Sequence, residues 1–200
     1  MDAAGNAAVQ VSRTVIVADT IAPVINLLGD ATVNVEQGTS YNDAGAVATD
    51  SFDGLVTVNT VNPVNVNIAG TYSVTYDAVD VAGNAAVQVS RTVIVADTTA
   101  PVITLLGSSS ITLNVGQTFS DPGHTVSDNV DVGLVATVTG TVNTAVPGLY
   151  TLTYTVSDSA GNVATPVVRS VSVQDSANPV VSAPDNIIVA ATNALSLIHI

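Results

Sequence analysis

The chain has no cysteine, no tryptophan and no lysine, and only three arginines stand against 16 acidic residues. Without cysteine, disulfide bonds and thiolate chemistry are excluded. The net charge of −13 argues against nucleic acid as a partner, because phosphate contacts need clustered Lys and Arg. It also argues against attraction to an anionic membrane surface. The apolar runs are far shorter than the roughly 20 residues of a membrane-spanning helix, so we expect no membrane insertion.

The residues that are abundant favour β-structure. Apolar residues make up 47% of the chain and charged residues only 10%, a balance that excludes disorder. Many of the apolar residues are valines, and β-branched side chains are enriched in strands. The acidic residues are almost all Asp rather than Glu, and Asp favours turns and caps over helix interiors. Composition therefore predicts an all-β protein.

Internal repetition determines the organisation of the chain. The string AGNAAVQVSRTVIVADT occurs at 4–20 and again, without a difference, at 82–98. The same offset carries Arg91 to Arg169 and Pro101 to Pro179, and it predicts tandem β-repeats cut from a longer array. The predicted domains are the C-terminal strands of a preceding repeat at 1–20, complete repeats at 21–98 and 99–176, and the start of a following repeat at 177–200.

The two terminal segments lack partners for their apolar faces, so we expect 1–20 and 177–200 to be loosely held. The last residues, 195–200, match neither repeat and resemble a translated adapter sequence. We interpret them as an artefactual tail, and a genuine apolar strand is the alternative. No basic and apolar leader follows Met1, so an export signal is expected upstream of this segment.

Within one repeat, apolar and polar residues alternate with a period of two, which is typical of half-buried strands. Turn signals such as Gly29-Asp30, Asp53-Gly54 and Asn62-Pro63 separate these segments. Seven short strands within one repeat predict an antiparallel β-sandwich of immunoglobulin-like type. The predicted strands are 23–28, 31–36, 45–49, 55–60, 64–68, 72–79 and 85–95.

Several motifs together resemble a known family. They include Ala22-Pro23-Val24-Ile25, Asp50-x-x-Asp53-Gly54, Gly70-Thr71-Tyr72 and Asp80-x-Ala82-Gly83-Asn84. This set resembles the bacterial immunoglobulin-like repeat family also found in a pesticidal crystal protein and in large surface proteins, and it is similar to the hyalin repeat. The resemblance implies an extracellular, non-catalytic module of adhesins or secreted multidomain proteins.

Loop aspartates recur in both repeats and are the candidate metal ligands. Calcium takes six to eight oxygen ligands, mostly carboxylates and carbonyls, and loops at a domain junction can gather them. The alternative is turn chemistry, in which Asp accepts backbone N–H bonds, and both hypotheses stay open here. No segment matches the EF-hand pattern. The candidates are the linker residues Asp19 and Asp97, the Asp-x-x-Asp pairs Asp50/Asp53 and Asp128/Asp131, and the hairpin residues Asp80 and Asp158.

Each repeat carries a single arginine at one position. Arg13, Arg91 and Arg169 are in phase with the inward valines of their strands. An inward arginine needs a carboxylate partner, since a lone buried charge is very costly. A bulge that turns it outward, or stacking on Tyr72 or Tyr150, is the alternative. We predict a structural role. The candidate partners are Asp43 or Asp50 for Arg91, and Asp121 or Asp128 for Arg169.

No recurrent catalytic set is present. His124 lies in Asp-Pro-Gly-His, where a solvated turn is expected, and the first repeat has Ala46 there. Without a histidine base in both repeats, a nucleophilic triad has no support. The sequence therefore predicts a non-catalytic spacer or stalk of a bacterial cell-surface or secreted protein such as an adhesin, with calcium as its candidate cofactor and neighbouring repeats as its partners. The alternative is a carbohydrate- or protein-binding accessory module of a secreted multidomain protein.

Overall fold

The structure is a computed structural model and is described for residues 1–180. Those residues contain thirteen strands and no helix, so the predicted all-β class is confirmed. Consequently none of them belongs to a helix long and apolar enough to cross a membrane. The predicted tail at 195–200 and most of the predicted segment 177–200 lie outside the described residues.

Seven strands form the first repeat. They are β1 (Val24–Leu27), β2 (Thr32–Glu36), β3 (Ala46–Asp50), β4 (Gly54–Val56), β5 (Val58–Val61), β6 (Gly70–Ala78) and β7 (Val89–Ala96). One sheet has the order β1-β3-β4 and the other has the order β2-β7-β6-β5. The two sheets enclose one apolar core, which is the arrangement of a β-sandwich.

Three of the predicted strands differ from those in the structure, and one of them, 85–95, begins only at Val89. The predicted strand 55–60 is divided into β4 and β5, which are separated by Thr57. The predicted strand 64–68 is wrong, because residues 62–69 contain no strand and include a turn. The side-chain oxygens of Asn62 and Asn65 each accept a bond from the backbone N–H two residues on, both at 3.1 Å. These local Asn bonds compete with strand pairing and here prevail over it.

One pair of neighbouring strands is parallel, although a sandwich with only antiparallel pairs was predicted. β2 pairs with β7 in parallel, from Thr32↔Thr92 to Glu36↔Ala96. On its other side β7 pairs with β6 in antiparallel register, from Gly70↔Val95 to Tyr76↔Val89. The last strand of the repeat is therefore an inner strand, held by a neighbour on each side.

The core lies between the sheets and is built from alternate residues of the central strands. Val74 and Tyr76 of β6 and Val93 of β7 are each 0% exposed, and Ala48 of β3 is 1% exposed. Along β7 the buried residues alternate with partly exposed ones. Because this alternation includes Arg91, the arginine occupies an inward position of the sandwich.

Six strands follow in the second repeat. They are β8 (Val102–Leu105), β9 (Ser110–Asn114), β10 (His124–Ser127), β11 (Thr137–Thr139), β12 (Gly148–Thr155) and β13 (Val167–Gln174). β8 and β10 form a two-stranded sheet, and the other four have the order β11-β12-β13-β9. β9 and β13 pair in parallel, as β2 and β7 do. The segment 128–136, where Val132 is inserted relative to the first repeat, contains no strand.

The described chain forms two compact units that do not follow the sequence repeats. One consists of Met1–Thr104, His124–Thr137 and Tyr154–Val167; the other consists of Leu105–Gly123, Val138–Thr153 and the residues from Val168 onward. The repeat boundaries stay a prediction. Both linkers that carry the candidate aspartates lie in the first unit.

Residues 1–20 form a turn near their start but no strand. Val15 is 75% exposed, whereas Val93 at the same place in the identical string is 0% exposed. The difference is due to context alone, since β7 has β2 and β6 as partners.

Candidate functional site

The Asp-x-Ala-Gly-Asn turn fixes one loop carboxylate in each repeat. Asp80 accepts bonds from the backbone N–H and the side-chain amide of Asn84, both at 2.7 Å. Gly83 has a φ of +94°, which a side chain rarely adopts, so the glycine is required by the turn. Asp158 and Asn162 repeat this arrangement, at 2.7 and 2.8 Å. Burial acts to raise the pKa of Asp158, but the bonds from Asn162 outweigh it and lower the pKa.

The same asparagines hold the linkers. The Asn162 amide donates to the backbone carbonyl of Asp97 at 3.2 Å, and the Asn84 amide donates to that of Asp19 at 3.3 Å. Each asparagine therefore joins a hairpin aspartate to a linker. The sequence interpretation did not assign this role to the asparagines, although their recurrence at the same place in both repeats was a usable signal.

The Asp-x-x-Asp pairs form turns of their own. Asp50 Oδ1 accepts from the backbone N–H groups of Phe52 and Asp53 at 2.7 and 3.1 Å, and these bonds lower the pKa of Asp50. Asp128 Oδ2 accepts the equivalent two bonds, both at 2.9 Å. The second aspartate of each pair reaches the hairpin loop, where Asp131 Oδ2 accepts from Ser159 N at 2.6 Å. Turn chemistry is thus present, and it uses only one oxygen of Asp50 and of Asp128.

Six of the eight candidate aspartates meet in two groups of three, here called the junction triads. In each triad, one carboxylate oxygen from each residue lies within 4.8 Å of the corresponding oxygens of the other two. Every member of the second triad follows its counterpart in the first by one repeat length. Asp50 and Asp128 do not belong to these groups. The triads are Asp19/Asp53/Asp80 and Asp97/Asp131/Asp158.

Several carboxylate oxygens beside the triads are buried and accept no hydrogen bond from the protein. They include Oδ2 of the linker residues Asp19 and Asp97. Asp97 is only 9% exposed, and burial raises its pKa, as do the charges of Asp128 and Asp158. Each Asp-x-x-Asp pair contributes a further such oxygen, Asp50 Oδ2 and Asp128 Oδ1. Negative charge is therefore concentrated at each linker and incompletely solvated there.

Glu36, the only glutamate in the chain, forms a second set of bonds at the linker after β7. Its carboxylate accepts from Thr98 N and Thr98 Oγ1 at 3.0 and 2.5 Å, and from Thr99 N at 3.2 Å. It also accepts from the Asn129 amide at 3.0 Å. The bonds from Thr98, then those from Thr99 and Asn129, lower the pKa of Glu36 to about 2. This residue was missed because its position depends on the parallel β2–β7 register.

Arg91 is 1% exposed and lies at the opposite end of β7 from the linker. Its Nη1 forms an ion pair with Asp43 and donates to the Tyr76 hydroxyl at 2.9 Å. Its Nε donates to the Asp30 carbonyl at 2.8 Å. Its Nη2 donates to two further backbone carbonyls, those of Leu28 and Gly45. Of the two candidate partners, the structure therefore places Asp43 beside the guanidinium.

The tyrosine hydroxyls complete this network. The Tyr76 hydroxyl donates to Asp43 at 2.7 Å, and the Tyr41 hydroxyl donates to the same carboxylate at 3.0 Å. Burial acts to raise the pKa of Asp43, but the bonds from Tyr76 and Tyr41 and the charge of Arg91 outweigh it, so the net pKa is lowered. Burial and the adjacent Asp43 raise the pKa of Tyr76 to about 12. The Arg91 guanidinium lies 5.7 Å from the centre of the Tyr76 ring, and not over Tyr72 as the alternative had it.

The other two arginines occupy different environments. Arg169 is 0% exposed, forms an ion pair with Asp121 at 3.3 Å, and donates to the carbonyls of Leu106 and Gly123 at 2.7 and 2.9 Å. Arg13 lies exposed in the segment without strands.

His124 is not the solvated turn residue that the sequence indicated. It begins β10, and its Nε2 accepts from Ala136 N at 3.1 Å. Its ring lies edge-on to Tyr154, with the centroids 5.3 Å apart. Both nearby groups come from segments distant in sequence, so the local Asp-Pro-Gly-His motif does not show this position.

The two repeats are similar in sequence to a family of known domains. Residues 25–95 and 103–173 each match the sequence model described as bacterial surface protein, Ig-like domain. The chain belongs to this family. The resemblance drawn from the motifs is thereby confirmed, and an extracellular structural or surface module is the class of protein that the family supports.

Two relatives share this similarity over most of the chain. Hyalin of Strongylocentrotus purpuratus is 29% identical over 203 aligned positions, covering 94% of this chain and 17% of hyalin. An uncharacterized 81.3 kDa protein of Acholeplasma phage L2 is 27% identical over 175 positions, covering 84% of this chain and 23% of that protein. The chain thus spans about a fifth of the length of these relatives.

Among solved structures, the lipoprotein BT2262 from Bacteroides thetaiotaomicron matches with a TM-score of 0.32 and 18% identity. The match covers 74% of this chain and 99% of that one.

Proposed function

We propose that the chain is a series of non-catalytic spacer modules of an extracellular surface protein, such as an adhesin. The single observation that carries this proposal is the linker between the two matched repeats. Glu36 binds the linker at Thr98 and Thr99 and binds Asn129 in the repeat that follows. A linker held on both sides is expected of a spacer, because the reach of a flexible array grows only with the square root of its length.

Calcium is part of this proposal. Metal ions held by the junction triads would offset the repulsion between carboxylates and make the linker stiffer. We assign no catalytic role to the described residues, because neither repeat contains a recurrent acid–base or nucleophile set.

The alternative of a glycan-binding module has less support. Sugar recognition through stacking needs exposed aromatic side chains, and Phe52 is 80% exposed. At the corresponding place in the second repeat, however, stands Val130. A feature of one repeat alone does not define what the family of repeats does.

Small-angle scattering of arrays with two, four and six copies of the repeat tests the spacer proposal. We expect the maximum dimension to increase in proportion to the number of repeats. An increase with only the cube root of the mass, as for a globule, would contradict it. Substitution of Glu36 by Gln is expected to reduce the slope, and substitution of the exposed Asp30 by Asn serves as a charge-matched control.

A further inference from the structure

We propose that each junction triad is a calcium site, in which a linker aspartate and two loop aspartates of the following repeat share one ion. The inference rests on the proposed spacer function and deepens it, because it names what holds the linker. At the second junction the ligands are Asp97, Asp131 and Asp158, and at the first they are Asp19, Asp53 and Asp80.

The first argument is charge. Three carboxylates within 4.8 Å of one another disfavour each other's ionised form. Cationic side chains are not available to offset them in the described part of the chain. Arg91 and Arg169 are bound to Asp43 and Asp121, and Arg13 is exposed. A bound divalent cation would compensate the three charges at one point.

The second argument is independent of the cluster and concerns one oxygen. Asp97 Oδ2 is buried and has no hydrogen-bond partner in the protein, and the residue is only 9% exposed. A buried charged acceptor without a partner is costly, and native structures retain few of them. The equivalent oxygen at the other junction, Asp19 Oδ2, has the same property. Because the unsatisfied atom recurs at the equivalent position in the repeat, it is a feature of the repeat and not an accident of one loop.

The third argument selects the ion. The donors are all oxygens, without histidine or cysteine, which favours a hard cation over zinc or another transition metal. A separation of 4.8 Å is about twice a calcium–oxygen distance of about 2.3–2.6 Å, so one calcium ion reaches all three carboxylates. Magnesium requires shorter distances and near-ideal octahedral geometry, which three carboxylates fixed by separate turns do not readily provide. Asp128, whose Oδ1 is also buried and unpartnered and whose charge acts on Asp97, is a candidate for a fourth ligand.

Isothermal titration of the whole chain with calcium chloride tests the assignment, with magnesium chloride as the comparison. We expect two ions per chain for the natural sequence. Asp97→Asn is expected to lower the stoichiometry to one, and the double variant Asp19→Asn/Asp97→Asn to abolish binding. Asp30→Asn, an exposed residue with the same change of charge, is expected to keep both sites.

Thermal unfolding shows whether Asp97 acts as a metal ligand or only stabilises its turn. Calcium is expected to raise the melting temperature of the natural chain, because it binds the folded state. In chelator, Asp97→Asn is expected to be at least as stable as the natural chain, because it removes like-charge repulsion. An equal loss of stability with and without calcium would mean that Asp97 acts only in its turn, and it would overturn the proposal.

Two further results would overturn it: no binding at millimolar calcium, or a stoichiometry of two in the double variant. Equal affinity for magnesium would overturn the assignment to calcium. If Asp97→Asn does not fold by circular dichroism, Asp131→Asn removes a more exposed ligand of the same triad and takes its place. Scattering of the arrays in chelator separates the two failures, because a maximum dimension that still grows in proportion to the number of repeats would keep the spacer function without the metal site.

Discussion

With Arg91 replaced by alanine, the first sandwich should unfold at a much lower urea concentration than it does in the natural chain. The substitution leaves Asp43, whose side chain is 13% exposed, without its cation. It also removes the donor to the carbonyls of Asp30, Leu28 and Gly45. Breaking a buried ion pair by removing one partner costs about 3–5 kcal/mol. The bonds from Tyr76 and Tyr41 to Asp43 remain, so we expect a loss of about 3 kcal/mol, at the lower end of that range.

The assay is equilibrium unfolding in urea, followed by tyrosine fluorescence and circular dichroism. For a domain of this size each kcal/mol corresponds to about 4–8 °C in melting temperature, so a fall of at least about 12 °C is expected. A cycle with Asp43→Asn and the double variant isolates the coupling between the two side chains. We expect the double variant to be less destabilised than the sum of the single variants.

The chain supplies its own control. Arg13 lies in the same repeated string as Arg91 but is exposed, so Arg13→Ala should change the free energy of unfolding by less than about 0.5 kcal/mol. A loss below about 0.5 kcal/mol for Arg91→Ala as well would refute the reasoning, because it would show that the guanidinium is solvated. An equally large loss of stability for both variants would also refute it, because the effect would then depend on the local sequence that the two arginines share and not on their burial.

Three more expectations follow from single positions. Glu36 has a folded pKa of about 2 against an ordinary 4.5, so its bonds should contribute fully above about pH 4.5 and be lost as the pH falls towards 2; the difference in melting temperature between the natural chain and Glu36→Gln should shrink over that window. Gly140→Ala places a Cβ against the backbone oxygen of Thr151 at a φ of +104°, and it should cost on the order of 2–5 kcal/mol in urea unfolding. Gly133→Ala, where the space is open, should cost about 1–2 kcal/mol. Val93→Ala should cost about 2–3 kcal/mol and Val15→Ala less than about 0.5 kcal/mol, and equal values for these two valines would contradict the difference in burial.

The identical segments show which part of the fold the sequence alone could predict. Near the start of the chain, Asp2 accepts bonds from Ala4 N and Asn6 N at 2.9 and 3.0 Å and from the Asn6 amide at 3.0 Å. This is the same kind of turn that Asp80 forms with Asn84, and it needs no sandwich around it. The strand that follows forms only at 89–96, where β2 and β6 lie beside it. Turn chemistry was therefore predictable from local residues, and strand formation also required partners distant in sequence.

In the candidate site, too, the features that depend on local residues were predictable, and those that depend on strand neighbours were not. The repeat offset and the preference of Asp for loops were enough to select six residues that the structure brings together. Glu36 and Tyr76 were not selected, since their contacts depend on which strands are neighbours. Asp50 and Asp128 were selected, but their turns direct one oxygen to backbone N–H groups and keep them outside the triads.

The parallel pairing of β2 with β7 has a mechanical consequence. Once β1 has separated from β3, tension along the chain pulls β2 at Thr32, where it begins, and β7 at Ala96, where it ends. Because the two strands run in the same direction and are paired from Thr32↔Thr92 to Glu36↔Ala96, the opposing pulls slide one strand along the other. All five paired positions then carry the force together instead of separating one after another. A repeat connected in this way still resists stretching after β1 has separated from β3, because β7, the strand that leads to the following repeat, stays paired with β2.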